Sequence, residues 1–210
     1  MKKLLVVCFL SAVVFLSGCN FLLPVTAMIF GLGFPKYRTT EESMAYYEKE
    51  IGLIPDFYAI PADQEIWDSL NHAFVVPHAK FFDHNKQEIT YNSDSICMGR
   101  VMKFAAGLGD PNLPVAYKQD SLQRLLSRLK FIPEKVFDLA ELGETYDYVM
   151  FLFWGEFIGK PTSKGVGLCA EAAANNTKAS IAVIPVCLDA NRQYFANKKE
   201  YRRVFVSIEK

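Results

Sequence analysis

The sequence predicts an α/β domain in which helices flank a mixed central sheet, and three features carry that expectation. Residues 146–154, YDYVMFLFW, form an almost unbroken run of aromatic, β-branched and aliphatic side chains, the composition of a strand buried on both faces. Residues 180–189, SIAVIPVCLD, repeat that character, with a helical stretch from about Ser163 to Ala174 between the two runs. A strand, a crossover of this length and a parallel strand make a right-handed βαβ unit. Helical apolar periodicity before this unit supplies the covering layers.

The elements follow in order. Lys36–Thr40 reads as a linker into a first helix: Thr39 and Glu42 have capping-box spacing, and Met44, Tyr47 and Ile51 make an apolar stripe that stops at Gly52. Asp63–Leu70, opened by Pro61, is a second short helix. Phe74-Val75-Val76-Pro77 and the following HAKFFDHNKQEITYN predict two short strands around an Asp83–Lys86 turn. Asp94 is placed to cap a helix running to about Ala106, ended by Gly107 and Gly109. Asp120 and Gln123 open another, with Leu122, Leu125, Leu126 and Leu129 at helical spacing. Those leucines span barely two turns, so they read as core and not as a coiled coil. Arg203–Glu209 reads as a final strand.

Composition excludes several classes. At 210 residues the chain holds one domain plus an N-terminal segment. Half of it is hydrophobic and it is rich in Phe and Tyr, which argues against disorder. Basic and acidic side chains balance, so no net positive charge points to nucleic acid. No repeat, low-complexity tract or long charge block occurs.

The N-terminus, MKKLLVVCFLSAVVFLSGC, has the layout of a secretory signal: Lys2 and Lys3, an apolar stretch from Leu4, then small residues. Its end, Leu16-Ser17-Gly18-Cys19, resembles the bacterial lipobox. The resemblance implies cleavage before Cys19, acylation of its thiol and new amino group, and a domain held at the membrane of the cell envelope, outside the cytoplasm. The chain then divides into a signal peptide at 1–18, a membrane-proximal apolar segment and linker at 19–38, and a single α/β domain at 39–210. The competing reading is an uncleaved anchor, because apolar character runs from Leu4 to Phe34 and about 20 such residues span a bilayer. Asn20, Pro24, Gly31, Gly33 and Pro35 make the second half a poor continuous helix. In a cleaved protein Phe21–Phe34 rests on the lipid surface or packs on the domain.

Of five cysteines, Cys8 leaves with the signal and Cys19 becomes the anchor. Cys97, Cys169 and Cys187 remain, and three cannot all pair within one chain. One disulfide plus one buried thiol, or three buried thiols, satisfies the count, which is no disulfide scaffold.

Phe153-Trp154-Gly155-Glu156-Phe157-Ile158-Gly159-Lys160-Pro161 resembles the active-site segment of the thioredoxin family. There a buried strand ends in Phe-Trp-Ala, then an acidic or polar residue, an aromatic, and a Cys-Gly-Pro-Cys that opens a helix. The resemblance covers about residues 146–191 and implies a thioredoxin-like domain with helical additions. Val76-Pro77 and Phe81-Phe82-Asp83 resemble that family's cis-proline strand and hairpin, but here they precede the βαβ unit. The two cysteine positions fall on Ile158 and Pro161. Thiol–disulfide exchange needs one thiolate to attack and a second thiol to resolve, so the family's activity does not carry over. What the resemblance leaves is a candidate binding lip of Trp154, Glu156, Phe157, Ile158, Pro161 and Pro77.

Other chemistry is sparse. Gly155 to Pro161 has three residues between its glycines and a proline after Lys160, so it fails the phosphate-loop pattern. His72, His78 and His84 recur every sixth residue, a spacing that neither a helix nor a strand brings together as a metal site. Asp110 and Asp189 each lack a second carboxylate at a useful spacing, and Glu156 is a lone acid. No catalytic residue, cofactor or metal is assigned. Two functions stand: a non-catalytic envelope lipoprotein that binds or positions another envelope protein, and an atypical thiol oxidoreductase using Cys97, Cys169 or Cys187.

Mass spectrometry of the mature N-terminus tests the anchor. The expected outcome is a chain that begins at Cys19 carrying acyl groups, since several chains hold a protein on a bilayer where one holds it only marginally. An intact Met1 with unmodified Cys19 indicates the uncleaved anchor instead.

Overall fold

The computed structural model describes residues 35–73, 76–90, 98–133 and 144–201. Within them the apolar run 148–154 is the middle of a seven-stranded sheet. The strands are β2 (Tyr58–Pro61), β3 (His78–Asp83), β4 (Gln87–Thr90), β5 (Ala116–Ser121), β6 (Leu129–Ile132), β7 (Tyr148–Trp154) and β8 (Ile181–Cys187), in the spatial order β5-β4-β3-β7-β8-β2-β6. β8 runs parallel to both β7 and β2, and every other pairing is antiparallel. Two short strands, β1 (Tyr37–Arg38) and β9 (Ala190–Asn191), form a separate parallel pair. The helices are α1 (Thr40–Ile51), α2 (Gln64–Ala73), α3 (Met98–Gly107), α4 (Leu122–Leu126) and α5 (Lys160–Ala174). The architecture is mixed α/β, as expected.

The period-two geometry of β7 divides the interior. Met150, Leu152 and Trp154 enter the core that α1, α3 and α5 cover, with Tyr47, Phe104 and Val166. Val149, Phe151 and Phe153 enter the opposite core with Phe82, Leu122, Leu125, Leu129 and Ile184. The six side chains from Val149 to Trp154 are all buried and only Tyr148 is partly exposed, which accounts for the unbroken apolar run. β3 lies antiparallel against one edge of β7, with His78 opposite Phe153 and Asp83 opposite Tyr148. The β3–β4 hairpin turns over Asp83–Lys86, where Lys86 N donates to Asp83 O and Lys86 takes a positive φ.

Helix ends follow their local signals. The Thr39 hydroxyl accepts from Glu42 N while Glu42 accepts from Thr39 N, and Gly52 closes α1 in the left-handed region. Asp63 caps α2 by accepting from Ile66 N, and that helix runs to Ala73, three residues past the expected Leu70. α5 begins at Lys160, earlier than Ser163, because Gly159 turns the chain with a φ of 78° and Pro161 fits the first helical turn.

The leucine stripe is not one helix. α4 stops at Leu126, and Leu129 belongs to β6, which pairs with β2. Leu122, Leu125 and Leu129 still share one core. A five-residue helix has little stability of its own, and pairing with β2 satisfies the backbone beyond it. Residues 36–38, assigned to the linker, are integral to the fold through β1, and Pro35 O accepts from the Tyr201 hydroxyl. The expected Asp94 cap and the 203–209 strand lie outside the described residues. So do Phe74, Val75, Cys97 and everything before Pro35, Cys19 included.

The ends of α3 and α5 are joined by one side chain. Asn176 Nδ2 donates to Ala105 O and Leu108 O, and its Oδ1 accepts from Lys178 N and Ala179 N. The chain passes so closely that a Cβ on Gly109 would lie 2.7 Å from Lys178 O. Asn176→Ala removes all four bonds and strands two helix-end carbonyls. The expected cost is about 2–3 kcal/mol, read as a lowered urea midpoint with an unchanged slope.

Candidate functional site

In open α/β sheets ligands gather beyond the carboxyl ends of the parallel strands, so the ends of β7 and β8 define the place to look. The two strands finish in register, Trp154 beside Cys187, and Leu188 N extends the ladder to Trp154 O at 2.7 Å. Then they part. β7 continues into a single 3-10 turn, Glu156–Ile158, and β8 into Leu188-Asp189 and β9.

Asp189 holds this end of the molecule together. Its side chain is buried, and its two oxygens accept from two different segments: Oδ1 from Lys36 N and Oδ2 from Glu156 N, each at 2.7 Å. The Cys187 thiol points at Oδ2 from 3.7 Å. A second tie runs above it, where Arg38 Nε and Nη2 both donate to Glu156 Oε2, at 2.9 and 2.6 Å. Residues 36–38 are thus strapped to the 155–158 turn by a buried carboxylate below and a half-exposed ion pair above.

The electrostatics follow from burial. Desolvation raises Asp189 to about 6, against the opposing effect of its two backbone donors. The Glu156 hydrogen bond raises the Arg38 guanidinium further. Burial, then the nearby Asp189 charge, pushes the Cys187 thiol far above its ordinary value, so it stays protonated. Burial likewise holds Tyr58 and Tyr47 neutral. The Tyr58 hydroxyl and the Trp154 indole N–H are buried without a hydrogen-bond partner. They sit in an aromatic cluster in which Trp154 stacks on Tyr46, lies tilted against Tyr47 and meets Tyr58 edge to face.

The two stretches singled out by the sequence converge here. β3 starts directly after Val76–Pro77, a cis peptide, and its first residue lies opposite Phe153. Pro77 therefore sits beside the Trp154 end of β7. The candidate lip needs correction all the same. Trp154 and Ile158 are 0% and 2% exposed, so they are packing and present nothing to a partner. Only Glu156, Phe157 and Pro77 of the described lip side chains are partly accessible, and Glu156 is engaged by Arg38. Pro161 contributes its place in the first turn of α5.

The remaining candidates do not assemble into chemistry. Cys169 donates to Met98 O, and neither it nor Cys187 is in a disulfide. His72 bonds the backbone of its own helix, His84 is in the hairpin turn, and His78 packs against Phe153 where burial lowers it to about 4. Among the described residues no three His, Cys, Asp or Glu side chains group as a metal site, and no helix is long and apolar enough to cross a membrane. A separate cleft of about 270 Å³ lies between the 53–57 loop, Tyr146 and β8, and Asp56 in its lining accepts from the Tyr146 hydroxyl. Sequence reasoning missed Asp189 as a hub and missed Arg38 altogether, because their partners lie 33 to 153 residues away. No protein-family profile, curated protein or solved structure matches this chain.

A thiol this buried is inert. Alkylation of the native protein at mildly alkaline pH is expected to leave Cys169 and Cys187 unlabelled in peptide maps, and labelling to appear only after denaturation. Rapid native labelling of either would overturn the buried placement.

Proposed function

We propose that this chain is a lipoprotein of the bacterial cell envelope, anchored through acylated Cys19, whose thioredoxin-like domain is non-catalytic and binds or positions another envelope protein. The observation that carries the domain reading is the seating of the Pro77 strand antiparallel on β7 while β8 lies parallel on the other side, with α5 crossing between β7 and β8. That is the neighbourhood the thioredoxin resemblance implies. The chain order differs, because the Pro77 hairpin comes before the βαβ unit and not after it. The turn at the end of β7 then occupies the place of the family's dithiol and carries Ile158 and Pro161 in its stead.

Support for a binding role and against thiol exchange is chemical. The turn offers no sulfur, and the two described thiols are buried, with Cys187 locked in its protonated form. Exchange requires an accessible thiolate. The alternative, a thiol oxidoreductase using Cys97, Cys169 or Cys187, meets among the described residues only Cys169 and Cys187, both of them buried. The anchor reading rests on Lys2 and Lys3, the apolar stretch from Leu4 and the Leu16-Ser17-Gly18-Cys19 that ends it.

The turn itself supplies the test. Ile158 lies just before α5 and Pro161 lies in its first turn. The double change Ile158→Cys, Pro161→Cys places two sulfurs on a helix N-terminus, where the dipole lowers the first thiol's pKa. A disulfide between them is expected to close under mild oxidation, by peptide mapping, without backbone rearrangement. A folded variant whose new thiols stay free means that the resemblance is a coincidence of strand-end residues. The unaltered chain is expected to show no turnover in an insulin-reduction assay; turnover abolished by Cys97→Ser or Cys169→Ser establishes the oxidoreductase instead.

A further inference from the structure

We infer that the domain docks on an anionic lipid surface with its strap end facing the bilayer, and that Lys36, Lys198 and Lys199 meet the headgroups. The inference rests on the membrane anchoring proposed above, whether through acylated Cys19 or an uncleaved span. The apolar stretch that follows Asn20 ends at Phe34, and residues 35–38 are already part of the fold. Pro35 O accepts from the Tyr201 hydroxyl, Lys36 N donates to Asp189, and Tyr37 and Arg38 pair with Ala190 and Asn191. The Tyr37 ring stacks on Tyr201 at 5.7 Å and lies under the Arg192 guanidinium at 5.5 Å. A bilayer that holds residues 21–34 therefore holds this end of the domain beside it. A domain fixed at its first residues lacks the swing of one on a flexible linker.

The side chains around that point select the lipid. Lys36 follows Pro35 directly, and Lys198 and Lys199 lie in the helical turn 198–201 that carries Tyr201; all three are exposed. None of the three has a carboxylate partner among the described residues. The carboxylates at this end are engaged within the domain: Glu42 by Thr39 N and Arg192, Glu156 by Arg38, Glu200 by Ala196 N, and Asp63 by Ile66 N. Glu41 likewise bonds its own backbone and Thr39. The three ammonium groups are left to reach headgroup phosphates, and a long aliphatic stem with a charged tip suits the membrane interface. The field of an anionic surface fades within about 8–10 Å at ordinary salt, so the end held beside the bilayer feels it most. The opposite end, where β2, β7 and β8 begin, exposes Asp56, Glu144 and Asp147, and its Lys178 is tied to Asp110. Anionic lipid repels those carboxylates.

Reductive methylation of lysines in the full-length chain, reconstituted into vesicles and read by mass spectrometry, tests the docking. Vesicles of phosphatidylcholine alone are compared with vesicles that also contain phosphatidylglycerol, and flotation first establishes that the chain is bound to both. In the anionic vesicles Lys36, Lys198 and Lys199 are expected to react at least about threefold more slowly than in the neutral ones. Lys86 and Lys178, exposed at the opposite end, are expected to keep their rates. Molar salt, which shortens the screening length to about 3 Å, is expected to restore the three rates while the chain stays with the vesicles. Equal slowing in both kinds of vesicle means that residues 21–34, and not headgroups, cover the three lysines, and overturns the inference. Slowing at Lys86 and Lys178 overturns it as well. A chain that floats with uniform reactivity defeats this inference alone, whereas one that does not float defeats the anchoring and the docking together.

Discussion

Strand β7 is the constraint on which the rest of the structure depends. From Val149 to Trp154 it is apolar on both faces and it lies between two other strands, so neither those side chains nor its backbone face water. Each of its large side chains contributes about 1.5–3 kcal/mol of burial, and that gain is available only if both cores are complete. One core needs α1, α3 and α5; the other needs α4, β6 and the inner faces of β3 and β8. The backbone groups of β7 likewise require β3 on one edge and β8 on the other. Buried residues from Tyr47 to Leu188 are recruited around one seven-residue strand.

Where β7 and β8 end, the ladder ends too, and the protein meets a different problem. The chain separates into a turn and a second short strand, and the N-terminal strap arrives between them. A two-stranded pair such as β1–β9 is marginal by itself. It is held by the aromatic cluster of Trp67, Phe195 and Tyr201 on one side and by Asp189 on the other. Using a carboxylate as the clasp satisfies two backbone donors at once, but it places a charge where hydration is lost.

The same burial removes the chemistry that a cysteine beside an aspartate suggests. Cys187 is enclosed by the aromatic cluster and faces a carboxylate, and both effects suppress its thiolate. It acts as a small hydrophobe with a weak donor. The accessible part of the strand-end turn is Phe157 with the Arg38–Glu156 pair, an apolar ring next to opposed charges. Under the proposed reading, a partner meets shape and charge at this turn and no nucleophile.

What could be read from the sequence was whatever is encoded within a few residues of itself. The Thr39–Glu42 box, the Asp83–Lys86 turn, the both-face burial of β7 and the α5 crossover are local patterns, and a residue's neighbours four positions away determine them. The leucine stripe was misread because Leu129 is as apolar in a strand as in a helix; periodicity records that a side chain is buried, not which backbone carries it there. Trp154 and Ile158 were placed on a lip for the same reason, since only the arrival of the α1 tyrosines and the α5 helix closes over them. Whether the Pro77 hairpin joined β7 was beyond local reading, because strands separated by about 70 residues pair through backbone groups that every residue shares. Tertiary structure alone decided the site. Asp189 meets Lys36, and Arg38 meets Glu156, at sequence separations of 153 and 118 residues. A hydrogen bond depends on where two atoms lie in space, and nothing in the identity of either residue names its partner.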